Sequence, residues 1–145
     1  MKTAIGLCLT SVIGLSLVGG PASAQNATPA PSLQLELNAA QPSDKGCRLT
    51  FVVTNGLGAD LARAAFELAL FNDTGVVDRL TVLDFRDMPA GKTKVSRFDL
   101  AGADCAKLTR VLVNDATECV GQGIEPAACM RALKTTTKST IAFGV

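Results

Sequence analysis

The sequence predicts an all-β fold, an antiparallel β-sandwich of about seven strands with one short helix near the C-terminus. Three observations favour this class. Apolar and polar residues alternate with period two in several segments, turn-forming residues separate these segments, and helix-length connections of the kind that parallel strand pairing requires are missing between them. The chain of 145 residues fits a single domain.

The first segment has the three parts of a cleavable secretory signal peptide at 1–24. A basic start with Lys2 precedes an apolar run at 4–18, and Ala22-Ser23-Ala24 supplies a small-residue cleavage site. An uncleaved anchor is the weaker alternative, because the run is shorter than the ~20 residues that span a bilayer. We therefore expect no stable membrane span after cleavage.

The polar, proline-containing segment 25–32 follows as a flexible lead, and the sandwich domain is expected at 33–145. Period-two alternation predicts strands at 33–38, 47–54, 64–71, 76–85, 92–100, 108–113 and 139–145. The third of these has helix-forming composition, but the turn sequence Asn72-Asp73-Thr74-Gly75 after it favours a hairpin.

Turn residues close the other strands, including Asn55-Gly56 after the second and Asn114-Asp115 after the sixth. The pattern changes at 125–133, where Pro126 stands in a first-turn position with good helix formers behind it. We expect a short helix there.

Cysteine usage predicts two disulfides. Four cysteines follow the signal segment, which is typical of a small exported domain, and counting alone allows three pairings. We favour Cys119 with Cys129, which are close in sequence, and Cys47 with Cys105. A four-cysteine zinc site is the alternative, but the chain has no C-x-x-C pair.

The residue types that the chain lacks exclude several kinds of catalysis and ligand binding. The chain has no His, Trp or Tyr, so the commonest general base, the commonest metal ligand and the usual platforms for sugars and bases are absent. Lys2 is the one charge in 1–24, so the 14 basic residues fall to 13 after cleavage and balance the 13 acidic ones. A nucleic-acid partner is therefore not indicated, no cofactor is expected, and the protein is predicted not to be an enzyme.

Two groups of polar residues remain as candidate sites. The acidic candidates for a small ligand or cation are Asp73, Asp84, Asp87 and Asp115, although ordinary solvated carboxylates explain them as well. The candidate interaction edge consists of Lys92, Lys94, Ser96 and Arg97. Its charges suit either partner binding or the protection of an exposed strand against unwanted pairing.

The segments 67–77 (ELALFNDTGVV), 88–100 (MPAGKTKVSRFDL) and 110–115 (RVLVND), with Cys105 between the last two, carry a resemblance to a known group. The chain resembles small, mostly uncharacterised exported bacterial proteins with an immunoglobulin-like β-sandwich. Some of that group look like twin-Arg substrates, whereas this chain lacks the Arg pair. The resemblance implies a sandwich in the cell envelope and supplies no catalytic residue.

The sequence therefore predicts a periplasmic or secreted, non-enzymatic protein that acts by binding an envelope protein in an accessory or assembly role. The alternative is a small-ligand or cation-binding module. An enzyme that uses carboxylates alone is the weakest hypothesis.

Overall fold

A computed structural model describes residues 28–145. The expected signal peptide at 1–24 and the start of the expected lead lie outside the described residues. Regular structure begins at Ser32, next to the expected domain start at Leu33.

The described chain contains eight strands, a single turn of 3₁₀ helix at Cys105–Lys107 and one four-residue helix, α1, at Ala128–Arg131. The strands are β1 Ser32–Ser43, β2 Gly46–Gly56, β3 Leu61–Phe71, β4 Val77–Met88, β5 Thr93–Ala101, β6 Arg110–Val120, β7 Leu133–Thr137 and β8 Ala142–Gly144.

The strands form two four-stranded sheets that pack face to face as a sandwich. The first sheet has the order β5-β2-β1-β7 and the second has the order β4-β3-β6-β8. Neighbouring strands pair antiparallel except at one edge of each sheet, where β7 runs parallel to β1 and β8 runs parallel to β6. The expected sandwich is present, but its expected purely antiparallel pairing is wrong at these two edges.

The parallel pairs arise because residues 121–144 cross between the sheets. The chain leaves β6 in the second sheet, passes through α1 and β7 in the first sheet, and returns as β8. The expected helix at 125–133 is shorter, because Ala132 accepts a backbone hydrogen bond from Leu33 at 2.9 Å and Leu33 then pairs with Leu133 of β7.

Strand β6 continues through Asn114-Asp115, although this turn-forming pair predicts the end of the strand. The register with β3 shifts at two places, so that Asn114 and Thr117 are extra residues in the ladder. Such β-bulges absorb turn-forming residues while the strand continues. The described count of eight strands exceeds the expected seven because β7 was not predicted.

The core lies between the sheets and takes the inward residues that alternation predicts. Five phenylalanines, Phe51 among them, form a cluster of edge-to-face contacts. In each contacting pair the ring centroids lie 5.0–6.1 Å apart. Phe51 and Phe66 are fully buried, as are the β1 leucines Leu33, Leu35 and Leu37. Edge-to-face aromatic contacts of this kind add to the free energy of burial.

Both expected disulfides are present in the favoured pairing. Cys47 at the start of β2 bonds to Cys105 in the 3₁₀ turn, and Cys119 near the end of β6 bonds to Cys129 in α1. Each bond fastens a short helical segment to a central strand of one sheet.

Candidate edge-binding site

Strand β5 forms an open edge of the first sheet. Its nine residues pair with β2 in one unbroken register, from Ala101 opposite Gly46 to Thr93 opposite Thr54. The edge strand of the second sheet on this side, β4, has three register shifts against β3. Bulges blunt an edge against strand pairing, whereas a regular strand presents its free backbone groups in a row.

The structure divides the four residues of the candidate interaction edge between two faces. Lys94 and Ser96 are half-buried on the inward face of β5, and Arg97 is exposed on the outward face opposite Thr50. Lys92 is exposed in the turn before β5, where its carbonyl accepts a hydrogen bond from the backbone of Asn55. The expected alternation therefore holds for Lys94 and Ser96 but not for Lys92.

Basic residues bridge the open side of the sandwich, where β4 and β5 face each other across the two sheets. The Lys94 ammonium donates to the backbone carbonyl of Asp87 and lies 3.5 Å from its Oδ1. From the other sheet, Arg79 Nη1 donates to the carbonyl of Ala101 at 2.8 Å. Two side chains thus span the mouth, one from each edge strand.

A groove of about 590 Å³ lies between these edge strands. Its apolar lining residues include Leu83, Phe98 and Leu100, and its polar lining includes Lys45 and Arg97, which lie at its rim. Phe98 packs on Phe85 of β4 with centroids 5.0 Å apart, so the apolar lining is continuous with the core. The groove can hold the side chains of an extended segment that pairs with β5.

Cations predominate around this groove. Asp99 is already engaged by Arg48, whose Nε and Nη2 donate to its two oxygens at 3.0 and 3.1 Å. These hydrogen bonds hold the pKa of Asp99 below its ordinary value. In the described part of the chain, Lys45, Lys92 and Arg97 have no carboxylate at ion-pair distance. The rim therefore favours an acidic partner segment.

The four acidic candidates lie in different places. Asp73 is in the β3–β4 turn, Asp84 is on the outer face of β4, Asp87 is near the end of β4, and Asp115 is on β6. Within residues 28–145, no three His, Cys, Asp or Glu side chains converge as metal ligands would. Asp73 also lines a cavity of about 370 Å³ with Asp78, Arg79 and Lys107.

Asp84 is part of a charged cluster on the outer face of the second sheet. Its pKa lies below the ordinary value, first because the Arg86 backbone N–H donates to Oδ1 at 2.8 Å and then because Arg63 donates to Oδ2 at 3.1 Å. Arg63 also pairs with Glu118 at 2.9 Å. Arg86 itself adopts a positive φ of 62° at a register shift of β4.

This cluster predicts an acid-sensitive contribution to stability. Because the native pKa of Asp84 is depressed, its contribution is complete above the unfolded pKa of about 3.9 and is lost as pH falls through the native pKa. We expect Arg63→Met to lower the free energy of unfolding slightly at pH 6, since the groups are exposed, and to lower it less at pH 2.5. Urea unfolding of both proteins from pH 6 to pH 2.5 measures this difference. A difference that stays constant over the range would contradict the assignment.

Sequence reasoning missed Asn55, which is fully buried and connects three segments. Its Nδ2 donates to the carbonyls of Ala59 at 2.9 Å and Met88 at 2.7 Å, and its Oδ1 accepts from the Leu57 N–H at 3.0 Å. Its backbone also bonds to Gly91 and Lys92. Asn55-Gly56 marks the end of β2 as expected, but no local pattern could show that the Asn55 side chain reaches the end of β4.

The fold and its edge define a disulfide-bonded β-sandwich with one regular, cation-rimmed edge strand. Comparison with protein-family models, with curated protein sequences and with solved structures gives no match to this chain. In residues 28–145, no helix has the length and apolar character that crossing a bilayer requires.

Proposed function

We propose that this protein is a non-enzymatic protein of the periplasm or cell envelope that binds another envelope protein through the β5 edge, in an accessory or assembly role. The observation that carries the proposal is the unbroken nine-residue register of β5 at an open sheet edge. Main-chain pairing along such an edge supplies affinity, and the neighbouring groove supplies specificity for alternate side chains.

The partner segment that suits this edge is extended, with apolar residues at every second position and acidic residues between them. The apolar side chains enter the groove over Leu83 and Phe98, and the acidic ones meet Arg97 and Lys45 at the rim. Such charges select the partner and speed association more than they raise affinity.

Two disulfides support an oxidising, non-cytoplasmic location. The signal peptide expected at 1–24 is consistent with this location and would direct the chain to it. That the protein remains in the periplasm or cell envelope and is not released from the cell is part of the proposal.

The strand pairing also supports an immunoglobulin-like class. In that class, strands A, B and E are neighbours in one sheet, and C′, C, F and G are neighbours in the other. Here β1, β2 and β5 are neighbours in the first sheet, and the second sheet has the order β4-β3-β6-β8. Two features depart from the pattern: β7 is an added strand parallel to β1, and β8, in the position of G, runs parallel to β6, whereas the sheets of this class are antiparallel. A small-ligand or cation-binding module is less well supported, because in residues 28–145 no three His, Cys, Asp or Glu side chains, the four acidic candidates included, converge as metal ligands would.

Charge reversal at the edge tests the proposal. We expect the double variant Lys92→Glu, Arg97→Glu to retain the fold, since both side chains are exposed, and to recover about tenfold less partner after cross-linking in envelope extracts. The matched control is Lys107→Glu, Lys134→Glu, which makes the same charge change at exposed positions outside β5.

The site of binding is measured on the captured complex. Hydrogen exchange should slow at the backbone amides of β5 when the partner is bound, because pairing protects them. Equal recovery by both double variants, or protection elsewhere with none in β5, would overturn the assignment of this edge.

A further inference from the structure

The outer face of the second sheet exposes a patch of apolar side chains that do not pack in the core. Val77, Leu80 and Val82 of β4 are 47%, 56% and 53% exposed, and all three point away from the core. Ala69 of β3 is only 4% exposed, but it lies opposite both Leu80 and the half-buried Leu112, so the apolar surface continues across the sheet to β6. We call these five residues the outer apolar patch.

The corresponding face of the first sheet is different. Its cross-strand neighbours are mainly polar, such as Thr54 between Gln34 and Thr93, and Thr50 opposite Arg97. One outer face is therefore adapted to water, while the other carries a continuous apolar strip of the kind that marks protein contact surfaces.

Opposite charges flank the outer apolar patch along the strand direction. At one end Arg110 lies over the Phe71 ring, with its guanidinium carbon 5.1 Å from the centroid. At the other end Asp115 lies opposite Glu67. Within the described chain, neither Arg110 nor Asp115 has an ion-pair partner.

The row that contains Ala69 lies midway between these charges. Phe71, which pairs with Arg110, is two residues from Ala69 in one direction, and Glu67, which pairs with Asp115, is two residues away in the other. The positive and negative ends are therefore about 14 Å apart along the sheet, with the apolar residues between them.

We propose that this face binds a second copy of the same chain through a two-fold axis that crosses the strands at the Ala69 row. This rotation reverses the strand direction, places β6 over β6 of the other copy, and brings Arg110 of each copy over Asp115 of the other. The patch then packs on itself, and two ion pairs close its ends. The twist of packed sheets displaces each pair by roughly 4 Å, which the arginine side chain spans.

The size of the face sets the strength of the association. Strands β4, β3 and β6, each about eleven residues long and about 4.8 Å apart, together with the three residues of β8 present roughly 600 Å². This area is less than the ~800 Å² that each partner contributes to a standard interface. We expect a reversible monomer–dimer equilibrium rather than a permanent dimer.

A charge exchange tests the geometry, because the two-fold axis pairs each residue with its counterpart. Arg110→Asp and Asp115→Arg should each raise the dimer dissociation constant about tenfold or more, since each places like charges opposite each other twice. The double variant should recover most of the lost affinity. Sedimentation equilibrium of the purified protein over a wide concentration range measures all four constants.

Two further measurements keep the result interpretable. Leu80→Lys should weaken the dimer through the patch itself, and Val95→Lys, at an equally exposed valine on β5, should leave it unchanged. A protein that stays monomeric at all concentrations would overturn the proposal, and so would a double variant no tighter than the single ones. Either result leaves the β5 edge proposal intact, because that edge belongs to the other sheet.

Discussion

A chain with both Cys47 and Cys105 replaced by alanine is expected to lose about 4 kcal/mol of the free energy of unfolding. The bond closes a loop with a sequence separation of 58 residues, and the chain-entropy relation gives about this value for that length. Domains of this size have stabilities of roughly 5–15 kcal/mol, so the loss is a large share of the total.

Urea unfolding of the oxidised proteins measures this loss. The matched control removes the other bond, Cys119 with Cys129, whose separation of 10 residues predicts a smaller loss of about 3 kcal/mol. Cys47 and Cys129 are both fully buried, so alanine leaves a small void in each variant, and the difference between the two losses reports mainly the loop length. A larger effect from removing the short-range bond would contradict the chain-entropy account.

Asn55→Ala is expected to cost about 3 kcal/mol. The substitution removes three side-chain hydrogen bonds and leaves the carbonyls of Ala59 and Met88 without these donors beside a buried position. A buried polar group that loses its partner costs about 1–3 kcal/mol, which makes the loss larger than that of an ordinary hydrogen bond.

The control for Asn55 is Asn114→Ala. Asn114 makes one exposed hydrogen bond, to Glu67 Oε1 at 2.6 Å, and its loss should change the free energy of unfolding by less than about 0.5 kcal/mol. Chemical denaturation compares the two, and hydrogen exchange of the Leu57 amide reports the local effect. Equal losses in the free energy of unfolding for both substitutions would show that burial of the Asn55 side chain does not determine how much its hydrogen bonds stabilise the fold.

Alternation was sufficient to predict the strands whose two faces differ most. In β1 and β2, Leu35 and Phe51 point into the core while Gln34 and Thr50 face outward, so the period of two is visible in the sequence. In β7, the residues LKTTT have one buried side chain, Leu133, and offer almost no such contrast. That strand is defined by its backbone pairing with β1, which is set by the fold rather than by local residues.

The charges in the sequence predicted the candidate edge, but which of these charges are free to bind a partner depends on contacts with the opposite sheet. The sequence indicated that Lys94 and Arg97 lie on a polar strand. It could not show that Lys94 reaches Asp87 or that Arg97 has no ion-pair partner within residues 28–145. Contacts between residues on different sheets follow from how the sheets pack. The groove over Leu83 and Phe98 is invisible in the sequence for the same reason.

The two parallel edge strands also determine the order in which the fold can be completed. The Thr137 hydroxyl donates to the carbonyl of Leu37, which lies 100 residues earlier in the chain. Strand β1 therefore gains its second neighbour, β7, only when almost the whole described chain is present. The same stretch then supplies β8 to β6, which closes the second sheet. Contacts so distant in sequence form slowly. Until residues 133–144 have joined the two sheets, β1 and β6 are open edges, and the incompletely folded chain is most vulnerable to aggregation.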